Sequence, residues 1–235
     1  MARRINLALQ GGGAHGAFTW GVLDRLLEEE GLEIAGISGT SAGALNGAAL
    51  KAGLLRDGTG QDRAGARDNL DWLWHQVAGV HDLAMAEWFA AAAPPTQTLS
   101  RALEATPAFA VADLATRVVS PYAWGPFYSN PLRRIVERFD YDTVCAAAGP
   151  EFHVSATNVR TGKIRVFTGD EISTEAILAS ACLPTLFQAV ELDDPATGQR
   201  EAFWDGGYTG NPALFPLFAR HLPDDILVVN INPLY

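Results

Sequence analysis

Only two cysteines, Cys145 and Cys182, occur in the 235 residues, each in an apolar stretch without metal-ligand spacing. A disulfide framework or zinc site is therefore not expected, and both side chains read as buried thiols. Net positive charge is absent too: the formal charge is −10, which gives no electrostatic footprint for nucleic acid and predicts repulsion from anionic lipid. Any membrane contact must then be local and apolar. No uninterrupted apolar run approaches the roughly 20 residues needed to span a bilayer. The basic start at Arg3 and Arg4 is cut off by Gln10 and a glycine cluster before a signal sequence could form. The expected location is cytoplasmic. Lysine is scarce as well, only Lys51 and Lys163 among 17 basic residues; with abundant arginine and alanine this hints at a GC-rich bacterial gene.

Hydrophobic residues make up 48% of the chain and charged residues 19%, so a folded globule with a substantial core is expected. Its length fits one domain, 1–235. Ile5 to Leu9 reads as a buried strand ending in a glycine loop. Phe18, Val22, Leu23, Leu26 and Leu27 recur at helical spacing over about Ala17 to Glu30, with Gly31 as a stop. Leu32 to Ile37 reads as a second strand, and the Ala/Leu-rich Ser41 to Leu55 as a second helix. This alternation predicts a three-layer α/β/α fold with a largely parallel central sheet and ligands at the carboxyl ends of the strands.

Further on, Arg56 to Arg67 reads as a surface loop, with helix resuming at Asp68. Leu83 to Tyr128, broken by five prolines, completes an irregular helical insertion over about 56–128. Asn130-Pro131 opens a predicted helix with Leu132, Ile135, Val136 and Phe139 on one face. Phe152 to Val159 and Ile164 to Phe167 suggest a hairpin around Thr161-Gly162, and a second strand pair is expected around Asp193 to Gln199. The Val/Ile-rich run Ile226 to Ile231 reads as a fully buried strand, which predicts a further C-terminal segment to cover it.

Two glycine motifs fall at predicted strand ends. Gly39-Thr40-Ser41-Ala42-Gly43 is a G-x-S-x-G pattern between strand and helix, the context of a nucleophile elbow, in which Ser41 is raised above the sheet. Its plain alternative is a βα turn capped by Ser41. Gly11-Gly12-Gly13-Ala14-His15-Gly16 presents free backbone N–H groups, either as an oxyanion hole or as a dinucleotide fingerprint. The second strand lacks the acidic residue that a dinucleotide site requires at its end. A third motif, Asp205-Gly206-Gly207, follows the strand-like Glu201 to Trp204, and alone it could be an exposed turn.

A serine nucleophile needs a base, yet His75, His81, His153 and His221 all sit where structural roles are the better reading. The glycine loop, the elbow and the late Asp-Gly-Gly, together with Ala179-Ser180-Ala181-Cys182-Leu183-Pro184 and Phe187, resemble the patatin-like phospholipase family, from Ile5 to about Pro233. The resemblance implies a Ser/Asp dyad: Ser41 attacks an ester carbonyl, Asp205 takes its proton, and Gly11, Gly12, Gly13 and Ala14 hold the oxyanion. It implies a lipid or other acyl ester as substrate, no cofactor and no metal. Gly16, Gly39, Gly43, Gly206 and Gly207 complete the motifs; His15 stands where the family usually has Arg or Lys, so a charge there becomes pH-dependent. Trp88-Phe89 and Tyr122, Trp124, Phe127 and Tyr128 could line an acyl groove or pack in the core. Other acyl hydrolases (esterase, thioesterase, polyester depolymerase), a nucleotide- or anion-binding module and an inactive scaffold remain the alternatives.

Overall fold

The computed structural model describes residues 2–79, 121–123 and 128–231. Strand β1 (Arg3–Leu9) leads through the glycine loop to helix α1 (Gly16–Leu26), and β2 (Leu32–Gly39) turns directly into α2 (Ala42–Leu54). After α3 (Arg63–Ala78) come two single-turn helices, α4 (Arg133–Val136) and α5 (Tyr141–Val144). The remaining elements are β3 (Glu151–Asn158), β4 (Ile164–Thr168), α6 (Thr174–Ser180), β5 (Val190–Asp194), β6 (Gln199–Asp205) and β7 (Ile226–Val229).

The strands form one seven-stranded sheet in the order β5-β6-β3-β2-β1-β7, with β4 paired to β3. The block β7-β1-β2-β3 is parallel, and β4, β5 and β6 join antiparallel. Alternation along β1 divides the core. Ile5, Leu7 and Leu9 face the helices, whereas Ala8 faces the other side with Ala35, Leu217 and Leu222. The α/β class with a mostly parallel sheet is thus as expected. The third layer is thin: among the described residues it is the stretch from the 3-10 turn Phe215–Phe218 to Leu222.

All thirteen residues of α2 are buried. Its alanines and glycines bring the helix backbone close to the sheet, and its one amide, Asn46, is fully satisfied. Asn46 Nδ2 donates to the carbonyls of Gly16 and Ala42 at 3.0 Å, and its Oδ1 accepts from Trp74 Nε1 at 3.0 Å. One buried side chain therefore ties α1, α2 and α3 together, as the high cost of an unpaired buried amide requires.

Several boundaries differ from the sequence reading. Helix α3 starts at Arg63, five residues before the expected Asp68, because the Asp62 side chain caps it, accepting from Gly65 N–H at 2.7 Å. The helix after Asn130 is a single α turn flanked by looser turns. Asn130 Oδ1 does receive the Leu132 N–H at 3.0 Å, and Leu132, Ile135, Val136 and Phe139 are all buried. Both expected strand pairs, β3–β4 and β5–β6, are present. β7 is an edge strand, not a fully buried one: Leu227 is 39% and Val228 46% exposed. Most of the expected insertion, including Trp88, Phe89, Trp124 and Phe127, lies outside the described residues; Tyr122 is exposed and Tyr128 half-buried. Both cysteines are free thiols, Cys182 buried and Cys145 half-buried. Among the described residues no helix is long and apolar enough to cross a membrane, and no group of three or more His, Cys, Asp or Glu could hold a metal ion.

Candidate active site

The site forms where two strands that are not partners run into each other. Strand β2 lies along the first half of β3 and ends with Gly39 opposite Val154. Strand β6 approaches from the opposite direction and ends with Asp205 opposite Ala156. Both occupy the same edge of β3, because β4 fills the other edge across residues 153–157. One residue, Ser155, separates the partner positions, so the chain leaving β2 and the chain ending β6 must meet above it.

On the β2 side the turn into α2 is unusually tight. Ser41 has φ 54° and ψ −121°, the only described non-glycine residue with positive φ. A side chain in that region costs on the order of 1–3 kcal/mol and persists only where its surroundings hold it. Gly43 shows why the motif needs glycine: a Cβ there would lie 2.0 Å from the Leu9 carbonyl oxygen. Gly39 likewise backs directly onto Gly43.

Hydroxyl groups pin the two strand ends. Thr40 Oγ1 and Ser155 Oγ share a 2.5 Å hydrogen bond, and Thr40 Oγ1 also donates to the Gly210 carbonyl at 2.8 Å. Thr157 Oγ1 donates to the Asp205 carbonyl at 2.8 Å, and Ser38 Oγ to that of Ala213 at 2.6 Å.

The Ser41 hydroxyl stands close enough to the Asp205 carboxylate to favour its charged form. Ser41 is 3% and Asp205 4% exposed. Asp205 Oδ1 also accepts the Gly207 N–H at 2.7 Å, so Gly207 in the 3-10 turn Gly206–Tyr208 holds the carboxylate's outer side. Burial pushes the carboxyl up to about 6, against the downward pull of the Gly207 N–H and the Ser41 hydroxyl. The neighbouring Cys182 thiol, buried and close to that carboxylate, is pushed up to about 12 and stays protonated.

The glycine loop lies against the serine: a Cβ on Gly11 would stand 2.7 Å from Ser41 Cβ. The N–H of Gly11 is already engaged, donating to Asn211 Oδ1 at 2.6 Å, while Asn211 Nδ2 returns a bond to the Gly11 carbonyl at 3.3 Å. Among the described residues the N–H groups of Gly12, Gly13 and Ala14 meet no acceptor. His15 closes the 3-10 turn Gly13–His15, and its buried Nε2 has no partner among the described residues.

Among the described residues, His221, His153 and His75 make their polar contacts with other groups. His221 is exposed and bonds Glu151 at 2.5 Å. Glu151 pairs with Gly36, three residues and about 10 Å below the end of β2. His153 lies in β3 beside the same glutamate, and His75 is exposed on α3, 3.3 Å from Asp71. His81 lies outside the described residues. Sequence reasoning missed Asn211 and the hydroxyls of Thr40, Ser155 and Thr157. The Gly/Asn/Pro-rich composition of Tyr208 to Pro212 was the only signal for the first, and the others become visible only once the strands are paired.

A model of the patatin-like phospholipase family matches residues 7–218. No curated protein sequence matches the chain. Among solved structures, the crystal structure of VipD from Legionella pneumophila aligns with a TM-score of 0.49 and 17% identity, over 97% of this chain and 49% of that one. The chain spans about half the length of VipD, and a likeness of that degree carries no chemistry.

Proposed function

This chain belongs to the patatin-like phospholipase family, a family of hydrolases, and from that premise we propose that it cleaves carboxylic esters of lipids through an acyl-Ser41 intermediate, with Asp205 as the base. The observation that supports the reading is the placement of a buried Ser41 hydroxyl, in a strained elbow, beside a buried and destabilised Asp205 carboxylate.

As Ser41 Oγ bonds to the substrate carbonyl carbon, its proton passes to Asp205 and the carbonyl becomes an oxyanion. The open N–H groups of Gly12, Gly13 and Ala14, at the start of a turn that runs into α1, suit that charge. Gly11 contributes room, since its own N–H belongs to Asn211. Collapse expels the alcohol, which takes the proton from Asp205, and leaves the acyl group on Ser41. Asp205 then deprotonates a water that attacks the acyl carbon; the second collapse releases the carboxylic acid and restores Ser41. A carboxylate is ordinarily a weak base toward a hydroxyl. Burial strengthens it here while leaving it ionised at neutral pH, which fits a base working close to its own pKa.

The test is labelling by a fluorophosphonate, with hydrolysis of short and long acyl esters, on the wild type, Ser41→Ala, Asp205→Asn and His221→Ala. Loss in the first two variants with His221→Ala intact is the expected result. Dependence on His221 would move the protein to the Ser-His-Asp hydrolases. Folded protein that neither labels nor turns over would favour a binding module or scaffold.

A further inference from the structure

Neither Ser41 nor Asp205 is held in place by the other's strand, since β2 and β6 meet end to end and share no ladder. Their register on β3 brings the two ends together, and a further segment bonds to both backbones. The Ser41 N–H donates to Ser180 Oγ at 2.9 Å, and the Asp205 N–H donates to the Cys182 carbonyl at 2.7 Å. Both anchors belong to three consecutive residues at the end of α6.

That segment is itself rigidly seated. Ser173 caps α6, accepting from Ala176 N–H at 3.2 Å, and every residue from Ala176 to Cys182 is buried. The Cys182 thiol donates to the Gln188 carbonyl at 3.0 Å, tying the segment to the chain entering β5. The bond to Ser41 also has a local purpose. As the residue preceding α2, Ser41 has an N–H that no helical carbonyl can reach, and its backbone is strained. Without Ser180 Oγ, a buried donor would be left unpaired at the one residue whose geometry matters most.

We infer that Ser180–Cys182 is a clamp that fixes Ser41 against Asp205, with Ser180 as a positioning residue, an inference that rests on the dyad reading above. Ser180 is fully buried, and its hydroxyl acts through the Ser41 backbone to fix where the nucleophile's oxygen points.

The experiment compares Ser180→Ala and Ser180→Thr in the full chain, using a chromogenic short-chain ester across pH and the rate of fluorophosphonate labelling. Ser180→Ala is expected to lower kcat and the labelling rate by about 10- to 100-fold with KM unchanged, the scale of a displacement of order 1 Å. The acid limb of its kcat/KM profile is expected to move to higher pH, because a displaced Ser41 hydroxyl no longer helps to hold the Asp205 pKa down. Ser180→Thr, which keeps the hydroxyl, is expected to recover most of the rate and the original limb. Wild-type kinetics in Ser180→Ala would overturn the inference; so would a loss that Ser180→Thr does not recover and that leaves the pH limb unmoved. If Ser180→Ala does not fold, Ser180→Cys, nearly isosteric but a poor acceptor, is read the same way. Turnover that survives Ser41→Ala would instead remove the dyad reading itself, a different result from any of these.

Discussion

Asp205→Asn is expected to abolish turnover and yet make the protein harder to unfold, by an amount that depends on pH. The wild-type carboxyl titrates at about 6 when folded and near its ordinary 3.8 when unfolded, because burial disfavours the charged form. The folded state therefore holds its proton more tightly. The stability contributed by this group is fully present below about pH 3.8 and is lost as pH rises to about 6. At about 1.4 kcal/mol per pH unit, the charged, buried carboxylate costs about 3 kcal/mol at pH 8 and about half of that at pH 5. A carboxamide resembles the protonated acid: it stays neutral and its oxygen can still accept the Gly207 N–H. Urea denaturation of both proteins at pH 8 and pH 5 measures the difference. The asparagine variant is expected to be more stable by about 3 kcal/mol at pH 8, with the margin narrowing at pH 5. Equal or lower stability at pH 8 would refute the claim that Asp205 is held ionised against an unfavourable environment.

The same titration governs catalysis with the opposite sense: kcat/KM is expected to fall about tenfold per pH unit below about 6 as the base is protonated. A miscible organic cosolvent should move that limb to higher pH, since ionising a carboxylic acid creates charge; a limb that stays put would indicate an imidazolium instead. Gly43→Ala places a methyl group 2.0 Å from the Leu9 carbonyl and is expected to cost about 3 kcal/mol or more, read from the urea midpoint, with loss of labelling at Ser41. Arg165→Ala strips Asp194, 3% exposed, of its bonds at 2.9 and 3.0 Å and is expected to cost about 3–5 kcal/mol, again by urea unfolding, with no change in the pH limb.

The parts of this molecule that depend on neighbours in sequence could be read from it. Glycines around Ser41 announced a turn too tight for side chains, and the alternation from Ile5 to Leu55 announced strand, helix, strand, helix. Legibility failed where the deciding contact was small or distant. One capping aspartate, Asp62, turns the end of a polar stretch into the first turn of α3, so composition alone misplaced the boundary. β7 has the Val/Ile composition of a central strand, yet its place at the edge depends on which strands it does not pair with. Gly11 looked like one more free donor because the side chain that occupies its N–H, Asn211, is 200 positions away.

Strand β3 acts as a ruler for the chemistry. A slip of β6 by one residue along it would carry Asp205 by about 3.3 Å and turn its side chain to the opposite face, while leaving the hydrophobic content of the strand unaltered. Such a molecule could keep its helices and pass a test of secondary structure, but Asp205 would no longer face Ser41, and on the proposed mechanism the serine would lose its base. Stoichiometric labelling of Ser41 thus serves as a head count of correctly registered chains in a refolded or heat-stressed sample, a question of fidelity that spectroscopy of the bulk fold cannot answer.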